Sequence, residues 1–166
     1  MATLQTRIST CLWFDGQAEE AAKLYTSIFP NSKLGYVAHF GEAGKEIHGQ
    51  KPGSVMTVEF TLDGLEFTAL NGGPMFKFTE AISLQVFCAD QKEADYYWDK
   101  LTPGGDPDAQ QCGWIKDKFG LSWQIVPQEF IDLMKRGEGP KKEKMFAAMM
   151  EMKKLDMAAL KAAYDS

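Results

Sequence analysis

Three cysteines, two histidines and a set of strand-borne carboxylates are the groups in this 166-residue chain with the chemistry for nucleophilic, acid–base or metal work. Cys11, Cys88 and Cys112 are an odd number with no C-x-x-C spacing, so they read as reduced thiols and not as a disulfide or zinc framework. Apolar neighbours flank Cys11 and Cys88 (Cys11-Leu12-Trp13, Val86-Phe87-Cys88), which favours small buried thiols over nucleophiles. His39 and His48 fall on a strand end and in a Gly-rich loop. Glu59 alternates with Phe60, and Glu66 neighbours Phe67, so either carboxylate can face a cleft or solvent. If the chain is an enzyme using acid–base chemistry, Glu59, Glu66 and His39 are its candidate catalytic groups.

Composition limits the partners. The chain has formal net charge −5 and 45% hydrophobic residues, an ordinary globular balance. From Lys135 onward eight basic residues outnumber five acidic ones, leaving −8 on the rest. An acidic body lacks the dense basic stripe that nucleic acid requires. No apolar run approaches the ~20 residues of a membrane span. Met1 to Thr10 has no basic region followed by an apolar one, so a cytoplasmic protein is expected, with neither nucleic acid nor membrane as partner.

The elements that would position these groups come in two similar sets. Ile8 to Phe14 reads as a strand, followed after Asp15-Gly16 by a helix whose Ala21, Leu24, Tyr25 and Ile28 form one buried stripe, stopped by Pro30-Asn31. Lys33 to Phe40 reads as a strand and Gly41 to Gly53 as a long loop. Asp63-Gly64 between Ser54–Leu62 and Leu65–Asn71 signals a type I′ hairpin. A strand over Ala81 to Cys88 then precedes a helix led by Asp90, with Ala94, Tyr97, Trp98 and Leu101 as its stripe. After a Pro/Gly loop, Cys112 to Lys116 and Leu121 to Val126 flank a longer turn. Gly137 and Gly139-Pro140 break the helical pattern that follows, and Lys141 to Tyr164 is helical, holding five of the nine methionines. That stretch suits a lid, a dimer arm or plain core packing.

Repetition organises the whole. Glu20-Ala21, Leu24-Tyr25 and Ile28 match Glu93-Ala94, Tyr97-Trp98 and Leu101 at an offset of 73, and Gly64-Leu65-x-Phe67 matches Gly120-Leu121-x-Trp123 at 56. Each half reads strand, helix, then two or three strands, too few elements to bury both faces of its own sheet. The expected fold is α+β: one module over residues 1–78, a second over 79–134 and a helical extension over 135–166, fused into one globular unit.

The segments CLWFDGQAEEAAKLYTSIFPNS (Cys11 to Ser32) and GWIKDKFGLSWQIVP (Gly113 to Pro127) resemble the PhnB-like, or 3-demethylubiquinone-9 3-methyltransferase-like, branch of the vicinal oxygen chelate superfamily. KMFAAMMEMKKLDMAALKAAY (Lys144 to Tyr164) is similar to that branch's tail. The resemblance implies two βαβββ modules of the glyoxalase-like fold, a curved mixed sheet forming a cleft between them, and a bacterial homodimer. The methyltransferase label finds no support in sequence motifs, because no G-x-G-x-x-G loop is present.

Metal-dependent members of that superfamily take ligands from the first and last strands of each module. Carried over, those positions are Thr10, Thr68, Ser83 and Gln124. Two threonines, a serine and a glutamine bring no charge to offset dehydration of a dication, so neither a metal nor another cofactor is expected. The same four, with Trp13, Phe67 and Trp114 as aromatic walls, suit a small apolar or aromatic ligand, bound and transformed or bound and sequestered. A metal-dependent glyoxalase- or dioxygenase-like enzyme using Gln124 with other ligands is the remaining alternative.

Overall fold

The computed structural model describes residues 7–136 and 139–166, so the expected break at Gly137 and the first six residues of the N-terminal segment lie outside the described residues. The chain divides into two compact units, one ending at Lys77 and one beginning at Phe78, and the C-terminal helices fall within the second.

The first unit runs β1 (Thr10–Phe14), α1 (Ala18–Ile28), β2 (Lys33–His39), α2 (Lys45–His48), β3 (Val55–Leu62) and β4 (Leu65–Asn71). Its sheet has the order β1-β4-β3-β2, with β1 parallel to β4 and the other pairs antiparallel. The β3–β4 turn forms as its dipeptide requires, with φ of 46° at Asp63 and 79° at Gly64. Helix α1 packs through Ala18, Ala21, Ala22, Tyr25 and Ile28, all buried, and the small alanines let it lie close to the sheet. Leu24, expected in this stripe, is half-buried at its edge. Gln17 supplies no cap to α1; Asn71 at the end of β4 does so, accepting from the Ala18 N–H at 2.9 Å.

The second unit runs β5 (Ser83–Cys88), α3 (Gln91–Leu101), a 3₁₀ turn (Pro107–Ala109), β6 (Trp114–Lys116) and β7 (Ser122–Pro127). Its sheet has the order β5-β7-β6, with β5 parallel and β6 antiparallel to β7. The stripe of Ala94, Tyr97, Trp98 and Leu101 is buried as expected. Asp90 caps α3 by accepting from the Glu93 N–H at 2.8 Å, while the Glu93 carboxylate reaches back to the Ala89 N–H at 2.6 Å. Two strands follow this helix where three follow α1. The intervening stretch carries Pro103 and Pro107, which lack the N–H a ladder needs, and a Cβ at Gly105 would overlap the Lys116 carbonyl.

Helices α4 (Gln128–Arg136), α5 (Pro140–Met150) and α6 (Met157–Asp165) complete this unit. Val126, Phe130, Met145, Leu155, Met157 and Leu160 form their shared core. Backbone N–H groups of Cys112 and Gly113 donate to Met152 O at 2.7 Å and Lys153 O at 2.8 Å. Gln91 adds both ends of its amide, donating to Leu155 O at 3.0 Å and accepting from the Met157 N–H at 2.9 Å. Lys154 pairs with Asp95 at 2.6 Å. The tail is therefore part of the second unit's fold, not a mobile appendage. Among the described residues no helix is long and apolar enough to cross a membrane.

Candidate functional site

Side chains of directly paired residues share a sheet face, so the registers sort the expected site residues. In the first unit Thr10, Phe67 and Phe60 line up on one face, as do Leu12, Ala69 and Val58. This is the face that α1 covers, with the Tyr25 ring 6.4 Å from that of Phe60. Phe67 is buried and stacked on Phe60 at 5.3 Å. The expectation that it walls a ligand site is corrected: it is core. The opposite, open face presents Cys11, Thr68 and Glu59 in one row and Trp13, Leu70 and Thr57 in the next.

Thr10 is corrected in the same way, because its register puts it on the helix side with Phe67 while Thr68 lies on the open side. The cause is a difference of one residue between the units. Three residues separate β1 from α1, and two separate β5 from α3. The helices therefore match at an offset of 73, but the buried strand positions Leu12 and Phe14 match Val86 and Cys88 at 74. The counterpart of Ser83 is the exposed Ser9, not Thr10. One residue of slip exchanges the two faces of a strand.

In the second unit Ser83 and Gln124 do meet. Gln124 Nε2 donates to Ser83 Oγ at 2.8 Å, and its Oε1 accepts from Gln85 Nε2 at 3.3 Å. Gln124 is flanked across the sheet by Gln85 and Trp114, so all three share a face. Gln85 escaped sequence reading, although its alternation with Val86 marks it as facing away from the core. These neutral amides and hydroxyl do not fit a divalent ion, since none supplies charge. Among the described residues no three His, Cys, Asp or Glu side chains gather where they could share an ion.

The acid–base candidates scatter. Glu59 is exposed on the open face, and His39 is exposed at the end of β2, paired with Val55. Glu66 is half-buried beside a shallow depression with Asn31, Lys33 and Thr61. The cysteines are poor nucleophiles. Burial, seconded by Glu93, pushes the Cys88 thiol up to about 12. Burial also raises those of Cys11 and Cys112, with Glu151 adding to the latter.

The concave site of the first unit lies around Trp13. A pocket of about 660 Å³ is walled by Trp13, Met56 and Leu70 from the sheet, Phe40 just after β2, Ile47 from the Gly-rich loop, and Met75. Trp13 is fixed by donating its indole N–H to Gly73 O at 2.8 Å and by an edge contact with Phe76 at 4.9 Å. A Cβ at Gly72 would overlap the indole, so glycine there makes the room it occupies. Loop residues 41–53, expected to be irregular, include the single turn α2 between left-handed Gly44 and Gly49. That turn delivers His48 and Ile47 to the pocket. His48 Nδ1 accepts from the Gln50 N–H at 3.0 Å, leaving the proton on Nε2, 3.3 Å from Ala43 O, and the ring lies tilted by 32° against Phe40 with centroids 4.7 Å apart. With both nitrogens engaged, His48 joins Gln50 and Asn71 as a polar group of the pocket rather than a free base.

Comparison with known proteins agrees with this architecture. Residues 6–126 match the family model described as 3-demethylubiquinone-9 3-methyltransferase. A Bacillus cereus structure described as a putative 3-demethylubiquinone-9 3-methyltransferase, PhnB protein, is 36% identical, with a TM-score of 0.62 over 74% of this chain and 99% of that one. The Pseudomonas aeruginosa protein PA1353 shares the fold at 19% identity and TM-score 0.56, over 74% of this chain and 98% of that one. No curated protein matches. The family match ends at residue 126, ahead of α4, α5 and α6. The chain belongs to the 3-demethylubiquinone-9 3-methyltransferase, or PhnB-like, family, as its two motif-bearing segments indicate.

Proposed function

We propose that the chain binds an uncharged apolar or aromatic small molecule in the Trp13 pocket. The observation that carries this is the pocket's lining: about 660 Å³ walled by Trp13, Phe40, Ile47, Met56, Leu70 and Met75, with His48, Gln50 and Asn71 as polar side chains, the last already bonded to the Ala18 N–H and Val55 O. A cavity of that size with apolar walls and few polar groups is the usual form of a small-molecule site. Among the described residues no carboxylate, lysine or arginine lines it, which disfavours a charged ligand. Methyl transfer is not part of the proposal, because neither sheet is a doubly wound parallel one and the sequence has no G-x-G-x-x-G loop.

An uncharged fluorescent probe, N-phenyl-1-naphthylamine, tests the reading. Its emission should rise saturably on adding protein, and Trp13→Ala should weaken binding about tenfold, the scale of losing one large aromatic wall. Absence of saturable binding, or binding indifferent to Trp13→Ala, overturns the proposal. Compounds that displace the probe and raise the melting temperature then separate two modes of action. Their conversion marks an enzyme, and their unchanged recovery marks a sequestering protein.

A further inference from the structure

The second unit carries a pocket of its own with different chemistry. It encloses about 550 Å³ between the 3₁₀ turn, the start of β6 and the last turn of α5, and its walls include Trp114, Met149, Met150, Asp108 and Glu80. The Cys112 thiol closes one side against Met150, with the two sulfurs 3.8 Å apart.

The charges around this indole do not cancel. Glu80 is paired with Lys116, which also holds its carboxyl below the usual range. Among the described residues the carboxylates of Asp108 and Glu151 have no ion-pair or hydrogen-bond partner, and Glu151 follows Met150 closely enough to act on Cys112. An aromatic face, two polarizable thioethers and the unpaired carboxylate of Asp108 thus line one depression, and Glu151, next to the lining Met150 in the chain, adds a second negative charge felt at Cys112. Indole faces attract cations through their negative quadrupole, and nearby carboxylates deepen that preference. An uncharged ligand would gain from the walls but not from the charge, and an anion would be repelled.

We propose that this pocket is a second ligand site, selective for a flat organic monocation such as a quaternary ammonium or N-alkylated heteroaromatic ring. Trp114 stacks on or faces the cationic ring, Met149 and Met150 pack its edge, and Asp108 with Glu151 supplies the countercharge. The site is independent of the uncharged ligand proposed for the Trp13 pocket.

N-methylquinolinium and quinoline at pH 8 have the same ring system and differ in charge, so they isolate the charge contribution. Titrations of the full chain are followed by the Trp114 indole N–H resonance, assigned through Trp114→Phe. The cation should shift that resonance saturably and bind about tenfold more tightly than quinoline. Asp108→Asn with Glu151→Gln should weaken the cation several-fold and leave quinoline unchanged. Both residues are exposed, so these variants keep the fold, which the unchanged remaining indole resonances verify. Equal affinity for the two compounds overturns the proposal. So does an absence of saturable shifts at Trp114, or a double variant that binds the cation as the parent does. Failure of the Trp13 pocket to bind its own probe does not affect these outcomes.

Discussion

Gln124 on β7 and Ser83 on β5 are joined side chain to side chain at 2.8 Å, across a parallel strand pair whose backbone register already places them on one face. Their bond, extended by Gln85, uses the amide of Gln124 at both ends. Neutral hydrogen bonds of this kind contribute about 1 kcal/mol each. Gln124→Ala and Ser83→Ala should each cost about 1 kcal/mol in urea unfolding, and the double variant less than the sum. Full additivity would show that the contact contributes nothing in solution.

Gly72 and Trp13 occupy one space. Gly72→Ala should lower stability by about 1–3 kcal/mol, the range for overpacking, and weaken N-phenyl-1-naphthylamine binding along with it. Adding Trp13→Leu to that variant should recover stability without recovering probe affinity. Recovery of both would mean that the indole's position has no bearing on the pocket.

Asp117 is buried in the turn before β7 and accepts three N–H donors: Phe119 at 2.9 Å, Leu121 at 3.1 Å and the Trp123 indole at 2.8 Å. Removing the carboxylate strands all three. Asp117→Ala should cost about 3 kcal/mol or more in chemical denaturation, with loss of the Trp123 contribution to near-ultraviolet circular dichroism. A cost below about 1 kcal/mol would show that water replaces the carboxylate readily.

Cys88 gives the chain an alkaline weakness. Its thiol stays neutral in the fold to about 12, whereas the unfolded chain ionises it near 9.0. Ionisation then favours the unfolded state, so this contribution is intact below pH 9 and is lost as pH climbs toward 12. At pH 10 the loss should reach about 1 kcal/mol relative to Cys88→Ala, read from paired urea titrations at pH 7 and 10. Parallel pH profiles for the two proteins would contradict the burial of that thiol.

Much of the fold was legible because its signals are local. Asp63-Gly64 names its own turn, and Asp90 announces α3 three residues ahead of the Glu93 it caps. Helix α1 was harder, since its cap comes from Asn71, 53 residues away. Thr10 failed for a related reason: the repeat was anchored on the helices, and the extra residue between β1 and α1 reverses strand faces when that alignment is carried back. Phe67 and Phe60 carry no mark in the sequence of which face α1 will cover. The Trp13 pocket draws Phe40, Met56 and Leu70 from three separate stretches and Ile47 from a loop with no apolar periodicity. Composition alone cannot assemble such a wall.

The hydrogen bonds that Cys112, Gly113 and Gln91 make to residues 152–157 have a practical consequence for anyone trimming this protein to the stretch its relatives share. Cutting after residue 126 would leave bare amides and uncover Val126, so the shortened product should be a damaged remnant prone to clumping instead of a minimal working version.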